Sequence, residues 1–167
     1  KKKELIAQIT KLYDEQIACY GGQKGSLEYY LLGRKAFDMF YEFRTPYSKT
    51  AAVLKESVEK GGNDSEYIVL DPYATVVVYQ FTNDKMEKEE ARAIYTKLNE
   101  IADHNIANKP KQASYYQQAK DAMNARFAKI ENNIFDCDYF KVKLEPGYRA
   151  DPDNIELIKE LFNNESI

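Results

Sequence analysis

The sequence of 167 residues predicts an all-α fold, an α-solenoid of about eight helices paired as antiparallel helical hairpins. Apolar residues recur at three- and four-residue spacing through most of the chain, which indicates helices with one buried face. The connections between these segments are short, which favours antiparallel neighbours. Residues 148–159 show the end of one helix, a tight Asp-Pro-Asp-Asn turn and the start of another. Pro152 cannot continue the incoming helix, whereas Asp153 or Asn154 can cap the outgoing one.

The first two predicted helices are separated by a glycine-containing connection. The first ends at Gly21-Gly22, a typical stop signal, and its apolar stripe consists of Leu5, Ile9, Leu12, Tyr13, Ile17 and Tyr20. The second begins near Ser26, which can cap it. Its broad apolar face comprises Leu27, Tyr30, Leu31, Phe37, Phe40 and Tyr41.

The third predicted helix has clear signals at both ends. Thr45-Pro46 places a proline at the first helical position, where a missing N–H costs nothing. Gly61-Gly62 end the helix, and its stripe is formed by Ala51, Leu54 and Val58.

The fourth predicted helix opens at Asp64 or Ser65 and is interrupted by Pro72. We therefore expect either a kink or a short turn that leads into a fresh helix capped by Asp71. The three valines at residues 76–78 would also suit a strand. Their position between helical neighbours favours a fully buried helix.

The fifth predicted helix has the most regular stripe of the chain, with Glu89 and Glu90 in the first turn, where they suit the helix dipole. Its apolar positions are Ala91, Ile94, Tyr95, Leu98, Ile101, Ala102 and Ile106. Pro110 separates it from a sixth helix that carries Tyr116, Ala119, Met123 and Phe127.

The seventh predicted helix, near residues 134–148, contains a segment that alternates like a strand at residues 140–144. We interpret it as a helix kinked at Pro146, because a single strand would have no partner. The eighth spans about residues 153–162, with Ile155, Ile158, Leu161 and Phe162 apolar. No linker rich in Pro, Ser or Gly divides the chain, so residues 1–167 are expected to form one domain.

Composition narrows the function classes. Charged residues make up 31% and hydrophobic residues 44%, which suits a folded protein, and the net charge of −3 argues against nucleic acid as a partner. No apolar run approaches the roughly 20 residues of a membrane span, so direct membrane insertion by this segment is not expected. Because the sequence enters a helical pattern near Glu4 without an initiator Met, we expect it to be a fragment of a longer protein.

Residues capable of catalysis or metal binding are sparse, so no cofactor and no enzymatic activity are expected. The single histidine, His104, suits a helix surface. The acidic pairs Asp136/Asp138 and Asp151/Asp153 lack EF-hand spacing and are explained by helix starts and turns. Residues 21–25 lack the Walker pattern of a phosphate loop. The two cysteines, Cys19 and Cys137, are interpreted as ordinary thiols, with a disulfide between them as the alternative.

A weak repeat links the odd-numbered helices, in which Leu12, Leu54, Leu98 and Leu144 occupy similar places at intervals of about 44 residues, against roughly 34 in a standard tetratricopeptide unit. Leu32-Gly33 also matches the pair that lets helices of that motif approach closely. Four blocks carry a closer similarity: residues 32–35, 54–59, 62–67 and 151–157.

On these blocks the chain resembles a tetratricopeptide-repeat (TPR) protein family of Bacteroidetes over most of its length. It departs from the pattern at Gly147, where a small alanine is usual, and at Pro72 and Pro146, which fall within predicted helices. The resemblance implies an α-solenoid that contacts proteins, in the periplasm or cell envelope. It implies no catalytic residue.

The leading hypothesis is a noncatalytic adaptor or scaffold that binds a protein or peptide partner on its concave face. With 14 tyrosines available for contacts, the predicted partner-binding residues are Tyr30, Arg34, Tyr73 and Tyr116. One alternative is a structural spacer within a larger cell-envelope protein. A second is an enzyme with an unusual carboxylate-based site.

Overall fold

The computed structural model describes residues 1–22, 26–156 and 158–159. Within these ranges the chain is all-helical, with eight α-helices, two 3-10 turns and no strand. The helices are α1 Lys2–Tyr20, α2 Glu28–Tyr41, α3 Tyr47–Gly61, α4 Leu70–Thr82, α5 Lys88–Asn108, α6 Ala113–Phe127, α7 Glu131–Ile134 and α8 Cys137–Ala150. The 3-10 turns, Gly62–Asp64 and Tyr67–Val69, connect α3 to α4.

The helix ends fall where the glycine and proline signals placed them. The backbone N–H of Gly21 donates to the carbonyl of Ile17, and Gly22 follows with a φ of 73°. Ser26 does not occupy the cap position of α2, but its hydroxyl accepts from the N–H of Glu28 at 3.3 Å. Pro46 precedes α3, and Gly62 ends it with a φ of 49°, a conformation that favours glycine.

Short turns do lead into a fresh helix near Pro72, as one of the two alternatives predicted, but Asp71 does not cap it and no α-helix opens at residue 64 or 65. Instead α4 begins at Leu70, so Pro72 lies in its first turn, where the backbone N–H groups have no partner within the helix. Asp71 also lies inside that turn. Its carboxylate accepts from the Tyr41 hydroxyl at 2.8 Å and pairs with Arg126 at 2.9 Å. The valines of α4 are helical as predicted, and Val76 and Val77 are fully buried.

The predicted seventh helix corresponds to α8, and the short helix before it, α7, was not predicted. The short α7 ends at Ile134, and α8 starts afresh at Cys137 because the Asp136 carboxylate accepts from the backbone N–H of Tyr139 at 3.1 Å. Residues 140–144 are helical, as expected, and Pro146 lies within α8. A turn follows at residues 151–154. Residues 155–156 and 158–159 are helical, as predicted for the eighth helix, whereas residues 157 and 160–162 of that prediction lie outside the described residues.

A polar cluster attaches α8 to the rest of the molecule. The Glu131 carboxylate, which is almost fully buried, accepts from the Tyr139 hydroxyl at 2.9 Å and from the Lys143 ammonium at 2.6 Å. The Tyr139 ring stacks on Phe135 with centroids 3.7 Å apart. Burial, together with the hydrogen bonds to Tyr95 and Glu131, raises the pKa of Tyr139 well above that of a free phenol.

Helices pack mainly against neighbours in sequence: α1 on α2, α2 on α3, and α5 on α6. An extensive contact also joins α4 to α6, so these two helices lie side by side. The core between the helices is apolar. Its large, fully buried side chains include Leu54, Leu70, Val76, Val77, Leu98, Ile101, Met123, Phe127, Ile130 and Ile134. Of the four leucines in the predicted repeat, three are buried, whereas Leu12 on α1 is 57% exposed.

Gly33 allows α2 to approach its neighbours closely, as the Leu-Gly pair suggested. A Cβ atom at this position would lie 3.1 Å from Cγ1 of Val69 and 3.2 Å from the Ser57 hydroxyl. That hydroxyl donates to the carbonyl of Tyr29 at 2.8 Å, which links α3 to α2.

Two buried side chains hold the segment between α3 and α4, residues 62–69. The Asn105 amide of α5 donates to the carbonyl of Asn63 at 2.8 Å and to that of Ile101 at 2.7 Å. The Tyr116 hydroxyl of α6 donates to the carbonyl of Ser65 at 2.9 Å. These bonds therefore tie α5 and α6 to the connection between α3 and α4.

We expect Asn105→Ala to lower the free energy of unfolding by about 1–3 kcal/mol, because it removes the bond to Asn63 and leaves a void. Asn108→Ala is the matched control, since the exposed Asn108 makes the equivalent bond to a carbonyl one turn back, at His104, and otherwise only a 3.5 Å contact with the ring of the same residue. The control should change stability by less than about 0.5 kcal/mol. Urea denaturation followed by circular dichroism measures both. Equal losses for the two variants would contradict the role given to Asn105.

Candidate functional site

A groove runs between α3 and α5, and we call it the α3–α5 groove. It encloses about 240 Å³. Side chains at helical spacing on both helices line it, and Tyr73 of α4 contributes from beneath. The lining consists of Lys55, Val58, Glu59, Tyr73, Glu90, Ala93, Ile94, Lys97 and Leu98.

Tyr73 is the one deeply buried polar residue in this lining. Its side chain is 4% exposed, and its hydroxyl makes no hydrogen bond within the described ranges. Burial, followed by the charges of Glu59 and Glu90, raises the pKa of Tyr73 well above its ordinary value. The hydroxyl oxygen keeps some solvent-accessible surface, and Tyr73 lines the groove, so a ligand in the groove can reach this oxygen. Tyr73 remains a neutral phenol at physiological pH.

The rim of the α3–α5 groove carries two lysines and two glutamates. Lys55 of α3 and Glu90 of α5 face each other across the opening, 3.8 Å apart, with both side chains about half exposed. Lys97 pairs with Glu100 on its own helix at 3.6 Å. Exposed pairs of this kind contribute about 1 kcal/mol or less, so a ligand can rearrange them at small cost.

A second groove lies just beyond the C-terminal end of α3, next to residues 62–66; we call it the Glu66 groove. It has a volume of about 520 Å³ and is lined by Tyr29, Asp64, Glu66, Lys109, Pro110, Lys111, Gln112 and Tyr116. Lys109 pairs with Asp64 at 3.6 Å. The half-buried Glu66 carboxylate has no hydrogen bond or ion pair in the described parts of the chain. Burial raises its pKa, against the opposing charges of Arg34 and Lys109.

The structure does not bring the four predicted partner-binding residues together on one surface. Tyr30 is 37% exposed and Arg34 is exposed, and both are on α2 outside the two grooves. Tyr73 is at the base of the α3–α5 groove. Tyr116, 2% exposed, lies against the Glu66 groove with its hydroxyl bound to Ser65. The ring of Tyr116 therefore packs in the core beside the Glu66 groove.

Sequence reasoning missed the remaining groove residues, above all Lys55, Glu90 and Glu66. A usable signal existed for the first two. If the first helix of each hairpin lines the concave face, α3 and α5 are the helices to inspect, whereas attention to tyrosines led to α4 and α6. Glu66 has no such signal, because its burial depends on how residues 62–69 pack.

Metal-ligating side chains are not clustered in the part of the chain that the structure describes. No group of three or more His, Cys, Asp or Glu side chains there could hold a metal ion. His104 lies on the exposed face of α5, and Cys19 is exposed on α1. The Cys137 side chain lies outside the description, so the alternative of a disulfide stays open. None of the described helices has the length and apolar character needed to cross a bilayer.

Comparison with known proteins gives no relative from which to transfer a function. No protein-family model matches the chain, and no curated protein or solved structure does so. Any functional assignment therefore depends on the residues and geometry described above.

We expect Glu66→Gln to stabilise the protein at neutral pH. Since burial raises the Glu66 pKa in the folded state, ionised Glu66 opposes folding above that pKa. The gain should shrink as the pH falls from above the raised pKa to below the ordinary value for glutamate, where the carboxyl is protonated in both states. Urea denaturation across this pH range measures it. Glu100→Gln, at an exposed position, should show no such pH-dependent gain, and a flat difference for Glu66→Gln would contradict the assignment.

Proposed function

We propose that the chain is a noncatalytic, TPR-like adaptor or scaffold that holds a protein or peptide partner in the α3–α5 groove. The observation that carries this proposal is the groove itself, with a Tyr73 hydroxyl at its base that no described residue pairs with. A cleft with apolar walls and a few convergent polar groups is the usual form of a binding site.

The packing order supports the TPR-like architecture. The side-by-side contact of α4 and α6 is the contact expected between second helices of successive hairpins. Lys55 and Glu90 then link α3 to α5, the first helices of those hairpins. In stacked hairpins the first helices line the concave face, which is where the α3–α5 groove would lie. Membership of the Bacteroidetes family and a place in the cell envelope belong to the same proposal, and the resemblance of the sequence blocks is their support.

The exposed pair on α2 provides a second surface in this proposal. The Arg34 guanidinium lies over the Phe37 ring, 5.7 Å from its centroid. Tyr30 is one turn before Arg34 on the same helix, so both can contact a carboxylate-bearing segment of a bound partner. This surface extends the groove hypothesis and does not replace it.

Selection from a random peptide library tests the groove directly. We expect wild-type protein to enrich peptides that Ala93→Trp does not bind, because Ala93 is an exposed groove residue that tryptophan would convert into an obstruction. Ala107→Trp is the matched control, also exposed on α5 but about 20 Å further along the helix axis. It should enrich the same peptides as wild type. No enrichment over Ala93→Trp would contradict groove binding and favour the structural spacer.

The α2 surface is tested with the peptides or partner so selected. A Tyr30→Ala/Arg34→Glu variant should weaken binding of a full-length partner several-fold in calorimetric titration, while short peptides confined to the groove bind unchanged. Thermal unfolding serves as the control for folding. Unchanged partner affinity in a folded variant would remove Tyr30 and Arg34 from the site.

A further inference from the structure

We propose that the α3–α5 groove accepts one aromatic side chain with a hydrogen-bond donor at its tip, tryptophan or tyrosine, from the partner. This rests on the proposed function, since it specifies what part of a partner the groove recognises. Three properties of the groove lead to it: its size, its walls and the state of the Tyr73 hydroxyl.

The size of the groove limits the ligand to about one large side chain. An apolar cavity of roughly 150 Å³ already takes up benzene, whereas pockets for drug-sized ligands begin at roughly 300 Å³. At about 240 Å³ the α3–α5 groove lies between these limits. A two-ring or substituted one-ring side chain fits this range, and a large cofactor does not.

The walls of the α3–α5 groove favour a ligand side chain with a large apolar surface. Val58 of α3 and Ile94 and Leu98 of α5 form them. The aliphatic stems of Lys55 and Lys97 extend the apolar surface toward the rim while their ammonium groups stay in water. An aromatic ring buries the most area against such walls for the fewest rotatable bonds.

The Tyr73 hydroxyl determines which polar group is favoured at the end of the bound side chain. Once a ligand displaces solvent from the groove, this oxygen must receive a partner from the ligand or remain unpaired and buried. The negative charges of Glu59 and Glu90 act on it, so a group with a positive end, an N–H or O–H, is favoured over a carbonyl. A full positive charge would carry a large desolvation cost among these apolar walls. A neutral donor on an aromatic ring supplies the hydrogen bond without adding a charge. Phenylalanine adds no charge but has no donor.

Indole and 1-methylindole test the inference, because they share a ring system and only indole has the N–H donor. Titration of isotope-labelled protein should give saturable amide shifts at residues of the α3–α5 groove, with indole binding about tenfold more tightly, a ratio equivalent to about 1.4 kcal/mol. Tyr73→Phe removes the hydroxyl and, since that group bonds nothing within the described chain, should leave folding intact. In this variant the affinity for indole should fall to that for 1-methylindole, whose own affinity should not change.

Several results would overturn the inference: equal affinities of the two probes for wild type, an equal loss of both in Tyr73→Phe, shifts outside the groove, or no saturable binding. The failure of the inference is distinguishable from that of the proposed function. Groove-dependent peptides that lack tryptophan and tyrosine would refute the aromatic specificity and leave the adaptor role standing. Donor-dependent indole binding without any groove-dependent peptide would support the aromatic specificity and contradict the adaptor role.

Discussion

The hydrogen bonds that Asn105 and Tyr116 donate to the backbone between α3 and α4 are the interactions on which the arrangement of the helices depends. Residues 62–69 contain only two short 3-10 turns, so their own backbone bonds do not fix the angle between the helices on either side. Donors from α5 and α6 supply that constraint from outside the connection. Because the same connection precedes α4, it also sets where Tyr73 lies beneath α3 and α5. The groove is therefore a product of long-range contacts.

Tyr73 and Tyr116 show how one residue type serves two purposes in this fold. Both are almost fully buried, and both rings fill space that an apolar side chain could fill. The hydroxyl of Tyr116 donates to the Ser65 carbonyl, whereas that of Tyr73, at the edge of a cavity, has no hydrogen-bond partner among the described residues. The degree of burial of a tyrosine therefore does not show whether it serves packing or recognition. Whether its hydroxyl already has a hydrogen-bond partner is the more informative property.

Sequence patterns predicted the helices well where the chemistry is local. Gly21-Gly22, Pro46 and Gly62 act through their own backbone geometry, so the ends they predict agree with the structure. Predictions failed where tertiary contacts decide. Asp71 caps no helix because α4 starts one residue earlier, and its carboxylate instead meets Tyr41 and Arg126. The direction in which a single side chain points was the least predictable property. An error of one residue in the position of a helix rotates that direction by about 100°.

The packing of α1 has a consequence for the dynamics of the chain. None of its residues is buried, and it attaches to α2 partly through polar contacts, such as the Tyr13 hydroxyl to Asp38 at 2.6 Å and Lys35 to Asp14 at 2.5 Å. Little apolar area is lost when such a helix detaches, so its opening costs far less than global unfolding. Amide exchange with solvent should therefore be graded along the chain, fastest in α1 and slowest in the α4–α6 core.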